Sequence, residues 1–408
     1  MERFISLFGL FAMIGFAWLL SSHKSKVSLR IVIGGVLLQF GLAALILKTT
    51  PGKRLFVEAG AFFTQILNSV DAGAEMVFGP KFHEFYFAFK VLPTIIFFSS
   101  LMAILYHLGI VQRVVQVFAV LMQWTFRTSG AESLSAAANI FVGQTEAPLV
   151  IRPYVGSMTQ SELMAVMVGG FATIAGGVLA AFVGMGIDAG HLMTASVISA
   201  PAALLLAKVM LPETEEPKTM GNVQIHVDKT GVNVVDAAAN GAAQGLLLAL
   251  NVAAMLIAFL ALIALANACL GWIGVKFGFT GANEWSLALI LGYVFWPFAW
   301  LMGIESNDCF HAAQLLGLKM AATEFVAYQQ LGEWIKPEST VHLSDRTVQL
   351  LTYALCGFAN FGSIGIQLGG IGGIAPERRS DLARLGLRAM LGGTLAAFMT
   401  ACVAGVLI

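Results

Sequence analysis

The sequence predicts an all-α protein that crosses a lipid bilayer several times. Of its 408 residues, 58% are hydrophobic and only 11% are charged, and the mean hydropathy is +0.82. Soluble domains carry about 25% charged residues, and so few charges could not cover the surface of a soluble protein of this length. Apolar runs near the length that a spanning helix needs recur along the whole chain. The bilayer is therefore expected to be the solvent for most of the molecule.

Eight apolar stretches are long enough to be predicted as transmembrane helices. They are Phe4–Leu20, Ile31–Leu47, Phe85–Leu108, Leu163–Met185, Met193–Leu211, Gly245–Leu270, Thr347–Gly370 and Leu385–Ile408. An even number of spans places both termini on the same side. Lys and Arg are concentrated in two short loops, 21–30 and 375–384, and short cytoplasmic loops are rich in these residues. Both termini are therefore expected on the outer side of a cell (inner or plasma) membrane.

Two further segments are predicted at the membrane surface. Lys53–Val77 sets leucines and phenylalanines against charged side chains, a pattern that favours a helix lying in the interface plane. Pro212–Asn240 is polar and begins with an acidic run flanked by prolines, which cannot continue a helix. It is expected to be a cytoplasmic loop.

Two stretches have the apolarity of a span but are interrupted by charged, polar and turn-forming residues. They are Ser129–Gly156 and Gly303–Leu331. Such breaks are tolerated in lipid only where the backbone is buried in protein or lines a wet cavity, so both are predicted to be re-entrant hairpins. Each is followed by a Gly-Phe-Ala run, Gly170–Gly177 or Gly357–Gly365, and then by a further span. Inverted repeats of this kind are typical of transporters with a site at the bilayer midplane.

These features divide the chain into four parts. Residues 1–128 hold the N-terminal helices and the interfacial helix, and residues 129–211 hold the first hairpin with the helices after it. Residues 212–302 contain the loop and a scaffold helix, and residues 303–408 the second hairpin with the helices after it. The two hairpin parts are expected to form a transport region that moves against a scaffold.

The first hairpin contains three consecutive polar residues, Gln144–Glu146, in an apolar surrounding. A carboxylate at the bilayer centre costs about 3 kcal/mol on insertion scales, so Glu146 needs a partner, water or a ligand. Gly143 and Pro148 favour a hairpin tip at this point. A ligand-binding role is preferred, and an ion pair with Arg152 is the structural alternative.

A second carboxylate, Glu324, lies among apolar residues of the second hairpin. It is predicted to bind a ligand, and the alternative is a water-facing Glu near Lys319. Glycines around Asn360 and Ser363 weaken the helix there, so an unwound segment could offer an amide and a hydroxyl to a polar ligand. Close helix packing through small residues is the alternative for these glycines.

Enzymatic chemistry is not favoured. Glu305, Asn307, Asp308 and His311 cluster in the sequence, but no HExxH spacing accompanies them. GxxxxGK[ST] loops, a GxSxG elbow and CxxC pairs are absent. No enzymatic cofactor and no nucleic-acid partner are therefore expected. The rival hypotheses are a membrane-embedded hydrolase that uses Glu146 or Glu305 as a base, and an uncoupled channel or sensor.

Five segments of the chain resemble the concentrative nucleoside transporter family. They are Gly143–Leu149, Gly170–Gly176, Glu324–Tyr328, Gly357–Gly365 and Pro376–Leu382. They occur in the order of the family and span roughly the C-terminal two-thirds of the chain. The resemblance implies a homotrimer of protomers with eight spans, an interfacial helix and two oppositely oriented hairpins. It also implies cation-coupled import of nucleosides by alternating access.

The resemblance further implies which residues bind the nucleoside. The base contacts fall on Gln144, Thr145 and Glu146, with Val178 packed against the base. The ribose contacts fall on Glu324, Asn360 and Ser363, with Phe358 lining the pocket. Carboxylates accept hydrogen bonds from hydroxyls and amides can read base edges, so the residue types suit these roles.

The family's sodium site falls on two side chains and two backbone carbonyls. The side chains are Asn139 and Thr173, and the carbonyls are those of Val142 and Ile174. Sodium is the expected coupling ion, and a proton carried by Glu146 or Glu324 is the alternative. Uridine, cytidine and adenosine are the expected substrates, because small residues leave room near the base.

Overall fold

The computed structural model describes residues 1–82, 87–220, 231–278 and 285–408, and their regular secondary structure is entirely helical. The first six helices are α1 (Glu2–Leu19), α2 (Leu29–Lys48), α3 (Thr50–Asn68), α4 (Val70–Phe78), α5 (Leu92–His107) and α6 (Ile110–Phe126). The next six are α7 (Gly130–Ala138), α8 (Ala147–Val150), α9 (Arg152–Val155), α10 (Gln160–Ala172), α11 (Gly176–Gly184) and α12 (Ala189–Met210). The last seven are α13 (Val234–Lys276), α14 (Leu287–Leu301), α15 (Cys309–Ala321), α16 (Glu324–Trp334), α17 (Asp345–Leu355), α18 (Phe361–Ile374) and α19 (Arg379–Leu407).

Seven helical stretches of the described chain are long and apolar enough to cross a bilayer. They are Glu2–Leu19, Leu29–Lys48, Ala88–His107, Gln160–Gly184, Ala189–Met210, Val234–Lys276 and Pro376–Leu407. Each overlaps a predicted span, although Phe85, the predicted start of the third, lies outside the described residues. The 43 residues of α13 form a helix about 65 Å long. This is about twice the thickness of the hydrocarbon core of a bilayer.

The remaining predicted span, Thr347–Gly370, is two helices rather than one. The chain unwinds at 356–360 between α17 and α18, and neither helix is long enough to cross alone. The predicted span Leu163–Met185 is broken in the same way at 173–175, between α10 and α11. Two broken helices therefore stand where the sequence carries its two Gly-Phe-Ala runs.

Other boundaries also differ from the prediction. The interfacial segment Lys53–Val77 is two helices, α3 and α4, which meet at Ser69. The loop predicted for Pro212–Asn240 ends early because α13 begins at Val234, and its residues 221–230 lie outside the described part. The helix α14 was not predicted, since its 15 apolar residues fall short of a span.

The first hairpin, formed by α7 to α9, starts and ends beside the C-terminus of α12. The Lys208 ammonium of α12 lies 2.7 Å from a carboxylate oxygen of Glu132 in the first turn of α7. It also donates a hydrogen bond of 2.9 Å to Ser161 at the start of α10. Both partners are near the two ends of the hairpin, so the chain runs out along α7, turns at 139–146 and returns.

The second hairpin, formed by α15 and α16, closes in a similar way. Asp308 lies directly before α15 and accepts a hydrogen bond of 3.0 Å from the N–H of Ser344, directly before α17. Arg346 in the first turn of α17 donates to the carbonyls of Gly303, at 3.4 Å, and of Gly405, at 2.7 Å. The second hairpin therefore starts beside the C-terminal end of α19.

The two hairpins start at opposite ends of α19. Arg388, in the N-terminal half of α19, donates to the carbonyl of Met210 at 2.7 Å, at the base of the first hairpin. Gly405, near the other end, lies at the base of the second. The helix between Arg388 and Gly405 is about 25 Å long at 1.5 Å per residue. The hairpin tips consequently approach the interior from opposite directions.

The chain runs through the same order of elements twice. Two helices, a hairpin, a broken helix and a long helix occur as α5 to α12 and again as α13 to α19. The first members, α5 and α13, pack closely, because a Cβ atom at Gly241 would lie only 2.7 Å from the carbonyl oxygen of Ser99. The sequence indicated the repeat only in the last three elements of each copy, and α14 is the member for which it predicted no helix.

Replacing Lys208 by Met is expected to destabilise the protein. Lys208 is 2% exposed and its partner Glu132 is 1% exposed, so the substitution leaves a buried carboxylate without its cation, at a cost of about 3–5 kcal/mol. The melting temperature of the detergent-solubilised protein measures the effect. Lys218→Met, at an exposed position, is the matched control. Adding Glu132→Gln to Lys208→Met should restore much of the loss, and equal melting of Lys208→Met and the wild type would contradict the pairing.

Candidate functional site

A cavity of about 140 Å³ lies where the two hairpin tips meet the breaks in the two broken helices. All eight residues predicted to bind the nucleoside line it, namely Gln144, Thr145, Glu146, Val178, Glu324, Phe358, Asn360 and Ser363. Four come from each copy of the repeated elements. The structure thus brings the whole set together, while the role of each residue stays a prediction.

Glu324 is held in the interior by its own helix and by the second break. It lies in the first turn of α16, where the positive end of the helix dipole favours a carboxylate, and it accepts a hydrogen bond of 2.8 Å from the Asn360 amide. It is 5% exposed, and Lys319 is buried and donates to the carbonyl of Ala354 at 3.0 Å. Glu324 is therefore not the residue at the membrane surface that the structural alternative required, and its role as a ligand-binding residue stays a prediction.

Asn360 connects the second break to the start of α18. Its side-chain oxygen accepts from the N–H of Ser363 at 2.9 Å, which caps the helix, while its NH₂ group donates to Glu324. Both amide atoms are thus assigned by their partners. Carboxylate, amide and hydroxyl groups converge here on one wall of the cavity, in an arrangement that can accept from and donate to a polyhydroxylated ligand.

Glu146 closes the tip of the first hairpin. Its carboxylate accepts from the N–H of Gly143 at 2.5 Å, and its own N–H donates back to the carbonyl of Gly143 at 3.1 Å. A Cβ atom at Gly143 would lie 2.7 Å from the carboxylate, so a larger residue there would displace the Glu146 side chain from this position. No ion pair within 4.0 Å joins Glu146 to Arg152 in the described part of the chain, so the structural alternative is not what is observed.

The two helix breaks cross in contact beside the cavity. Gly357 adopts φ +135°, and a Cβ atom there would lie 2.7 Å from the carbonyl oxygen of Phe171. The N–H of Phe358 donates to the carbonyl of Thr173 at 3.3 Å. Glycine is needed at 357 for both the backbone angle and the close approach. This contact places Phe358 at the cavity wall.

Two of the four predicted sodium ligands lie in the turn after α7 and two in the first break, and all four residues are buried. The NH₂ group of Asn139 donates to the carbonyl of Ser135 at 3.0 Å, while its oxygen is buried without a hydrogen-bond partner among the described residues. Thr173 donates to the carbonyl of Gly169 at 2.9 Å, so its oxygen keeps lone pairs. A buried acceptor without a donor is costly, and oxygens at helix breaks are the groups that hold Na⁺ in transporters.

Four cavity residues on α13 were not predicted, and they form the wall that faces the hairpins. They are Leu248, Asn251, Val252 and Leu256. Asn251 was detectable, because a polar residue inside the predicted span Gly245–Leu270 is a functional candidate by itself. The three apolar residues could not be predicted, because the sequence of an apolar span does not distinguish a residue that lines a cavity from one that faces lipid.

The cluster around Glu305 and His311 has no arrangement that fits a metal. Among the described residues, no group of three or more His, Cys, Asp or Glu could hold a metal ion. Asp308 binds the N–H of Ser344 and His311 packs edge-on against Trp334. These contacts serve the base of the second hairpin.

Three family models match almost the entire chain. Residues 8–81 match the N-terminus and residues 191–405 the C-terminus of the Na⁺-dependent nucleoside transporter family. Residues 88–189 match a model described as nucleoside recognition.

Relatives are similar along the full chain. An uncharacterized transporter of Haemophilus influenzae is 46% identical over 99% of this chain and 97% of its own length. Solute carrier family 28 member 3 of Homo sapiens is 44% identical over 100% of this chain and 60% of its own length. Sodium/nucleoside cotransporter 2 of Rattus norvegicus is 44% identical over 100% of this chain and 63% of its own length. The chain therefore spans about three fifths of the length of the animal relatives that it matches.

Solved structures share the fold. CNTnw in an inward-facing substrate-bound state has a TM-score of 0.92 at 43% identity, covering 100% of this chain and 98% of that one. A variant of CNTnw in an outward-facing state has a TM-score of 0.93 at 42% identity, covering 100% of this chain and 99% of that one.

Substituting Ala for Gly357 is expected to disrupt the site. The added Cβ would meet the backbone of the first break, which cannot move like a side chain, and φ +135° is strained for any residue but glycine. We expect a lower melting temperature and loss of ligand binding. Gly365→Ala is the control, since a Cβ there has no atom within 4 Å. Wild-type binding by Gly357→Ala would show that the breaks do not need this contact.

Proposed function

We propose that this chain, which belongs to the Na⁺-dependent nucleoside transporter family, is a cation-coupled symporter that imports nucleosides by alternating access. The observation that carries the proposal is the convergence of Gln144, Glu146, Glu324 and Asn360 on one interior cavity between two hairpins that start at opposite ends of the molecule. Alternating access is supported by the inward- and outward-facing states named for CNTnw, whose fold this chain shares.

Glu324, Asn360 and Ser363 would bind the ribose. A carboxylate with one oxygen engaged by Asn360 keeps lone pairs for neighbouring hydroxyl donors. An analogue that lacks the hydroxyl would leave a buried acceptor unpaired, which gives strong discrimination. Gln144, Thr145 and Glu146 would read the base, with Val178 and Phe358 packed against it, and uridine, cytidine and adenosine are the proposed substrates.

Sodium is the proposed coupling ion, with Asn139, Thr173 and the carbonyls of Val142 and Ile174 as its ligands. The partnerless oxygen of Asn139 supports this site. The turn 139–146 holds two of the proposed cation ligands and the three residues proposed to bind the base. A cation that orders the turn would therefore also preorganise the base-binding residues for the substrate. By reciprocity, a bound nucleoside raises the affinity for the cation by the same factor.

The assembly would be a homotrimer in the cell membrane, with both termini outside. Several apolar residues of α13 are exposed in the single chain, among them Leu247, Leu250 and Ile257. In a trimer this face of α13 would bind neighbouring protomers, while its opposite face, with Leu248 and Val252, would form the fixed wall of the cavity.

Glu324→Gln is expected to impair nucleoside import severely. Hydrogen bonds to a charged group contribute about 1.5–3 kcal/mol, so uptake efficiency for uridine should fall about 10- to 100-fold. Uptake of labelled uridine into proteoliposomes measures the change. Glu333→Gln, an exposed position on the same helix that pairs with Lys336, is the matched control. Normal uptake by Glu324→Gln would show that this residue does not bind ribose.

Thr173→Val and Thr173→Ser should separate the coupling ions. Valine keeps the shape of threonine without its oxygen, so we expect the sodium concentration for half-maximal uptake to rise about tenfold or more. Serine keeps the oxygen and should behave like the wild type. Uridine accumulation is measured under an imposed sodium or proton gradient, with Asn139→Ala as a second variant. Accumulation that follows the proton gradient alone, unchanged in Asn139→Ala, would establish the proton-coupled alternative.

A further inference from the structure

Gln367 is a fully buried amide behind the cavity wall. It lies in the middle of α18, where Ser363 is the one other polar residue, and is 0% exposed. Its NH₂ group donates to the carbonyl of Met167, at 3.1 Å, and to the side-chain oxygen of Gln144, also at 3.1 Å. Gln367 does not line the cavity itself, and Gln144 is the cavity residue to which its side chain is hydrogen-bonded.

The carbonyl of Met167 determines which way both amides face. A backbone carbonyl can only accept hydrogen bonds, so the atom of Gln367 that faces it must be nitrogen. The same nitrogen faces Gln144, and the atom of Gln144 that meets it must therefore be oxygen. The NH₂ group of Gln144 is left on the other side, and Gln144 lines the cavity.

The chain gives this pair a close-fitting site. A Cβ atom at Gly170 would lie 2.8 Å from the nitrogen of Gln367 and 2.8 Å from Cβ of Gln144. Gly170 on α10 therefore allows the first hairpin tip and α18 to meet across it. The pair joins residues from both copies of the repeated elements.

Only one half of the Gln367 amide is satisfied by the protein. Its side-chain oxygen is buried and has no hydrogen-bond partner among the described residues, which carries a penalty that an apolar residue would avoid. What the polar side chain provides at this position is the pair of hydrogen bonds from its NH₂ group, one of which goes to a residue of the cavity wall.

We propose that Gln367 is a positioning residue that fixes the amide of Gln144 with its NH₂ group toward the nucleobase. This inference rests on the proposed function. Gln144 then acts only as a hydrogen-bond donor, next to the acceptor carboxylate of Glu146.

A ligand that matches this pair presents a hydrogen-bond acceptor beside a hydrogen-bond donor on one edge of its base. The acceptor can be a carbonyl oxygen or an unprotonated ring nitrogen. Every common nucleobase carries such a pair on its Watson–Crick or Hoogsteen edge, so the arrangement accepts purine and pyrimidine nucleosides alike.

A double-mutant cycle with Gln144→Ala and Gln367→Leu tests this proposal. Uridine affinity is measured by calorimetry on the purified full-length protein in detergent. Gln367→Leu should weaken binding about three- to tenfold, the effect of one misdirected neutral hydrogen bond. In the Gln144→Ala background it should change the affinity by less than about twofold, because a residue that acts through Gln144 has nothing left to position.

Gln39→Leu is the matched control. Gln39 is also 0% exposed and also has a partnerless oxygen among the described residues, but it binds Thr400 and does not line the cavity. It should leave uridine affinity unchanged, and neither leucine variant should lower the melting temperature. Gln367→Glu keeps the shape of the side chain and removes the two donors, so it should weaken binding at least as much as Gln367→Leu.

The outcomes separate this inference from the proposed function. Wild-type affinity in Gln367→Leu or in Gln367→Glu overturns the positioning role, while uridine binding by the wild type leaves the transporter assignment intact. A loss in Gln367→Leu that persists in full with Gln144→Ala also overturns it, since the effect would then be independent of Gln144. Failure of the wild-type protein to bind any nucleoside would instead overturn the proposed function.

Discussion

Two stretches of unwound backbone, 173–175 and 356–360, lie against each other in the interior, and lipid could not hydrogen-bond either of them. Each can exist only because protein surrounds it, and part of that protein is the other break. Gly357 allows the crossing, and the N–H of Phe358 finds an acceptor on Thr173. Helix packing, hairpin direction and the position of the cavity all follow from where these two breaks meet.

The crossing brings helix ends to the middle of the molecule, and helix ends are where polar groups can be held there. Asn360 caps α18 and Thr323 caps α16, and both caps border the cavity. Their N-termini place positive dipole ends near Glu324, which lowers the cost of keeping a carboxylate away from water. The polar site is thus stabilised by the same interruptions that make room for it.

Much of the site was predictable because polar residues are rare in apolar sequence. Gln144–Glu146, Glu324 and Asn360 stand out for that reason, and the resemblance supplied their roles. The pairing of Gln144 with Gln367 was not predictable, since 223 residues separate them and a single sequence does not say which helices touch. The helix α14 was missed because it is too short for a span. The glycines of Thr347–Gly370 indicated a weak point in that helix. Only the structure shows that the chain unwinds there and that the unwound residues contact the break at 173–175.

The eight residues of the turn 139–146 have a consequence for how this protein can change over generations. Asn139 and Val142 stand at the proposed cation site, and Gln144 and Glu146 at the proposed base site, with only Gly143 between the two pairs. On this proposal, a substitution in the turn that changes the driving ion would also move the groups that face the cargo. A lineage could then change the ion without changing the cargo only through Thr173 and Ile174, the proposed cation ligands outside the turn.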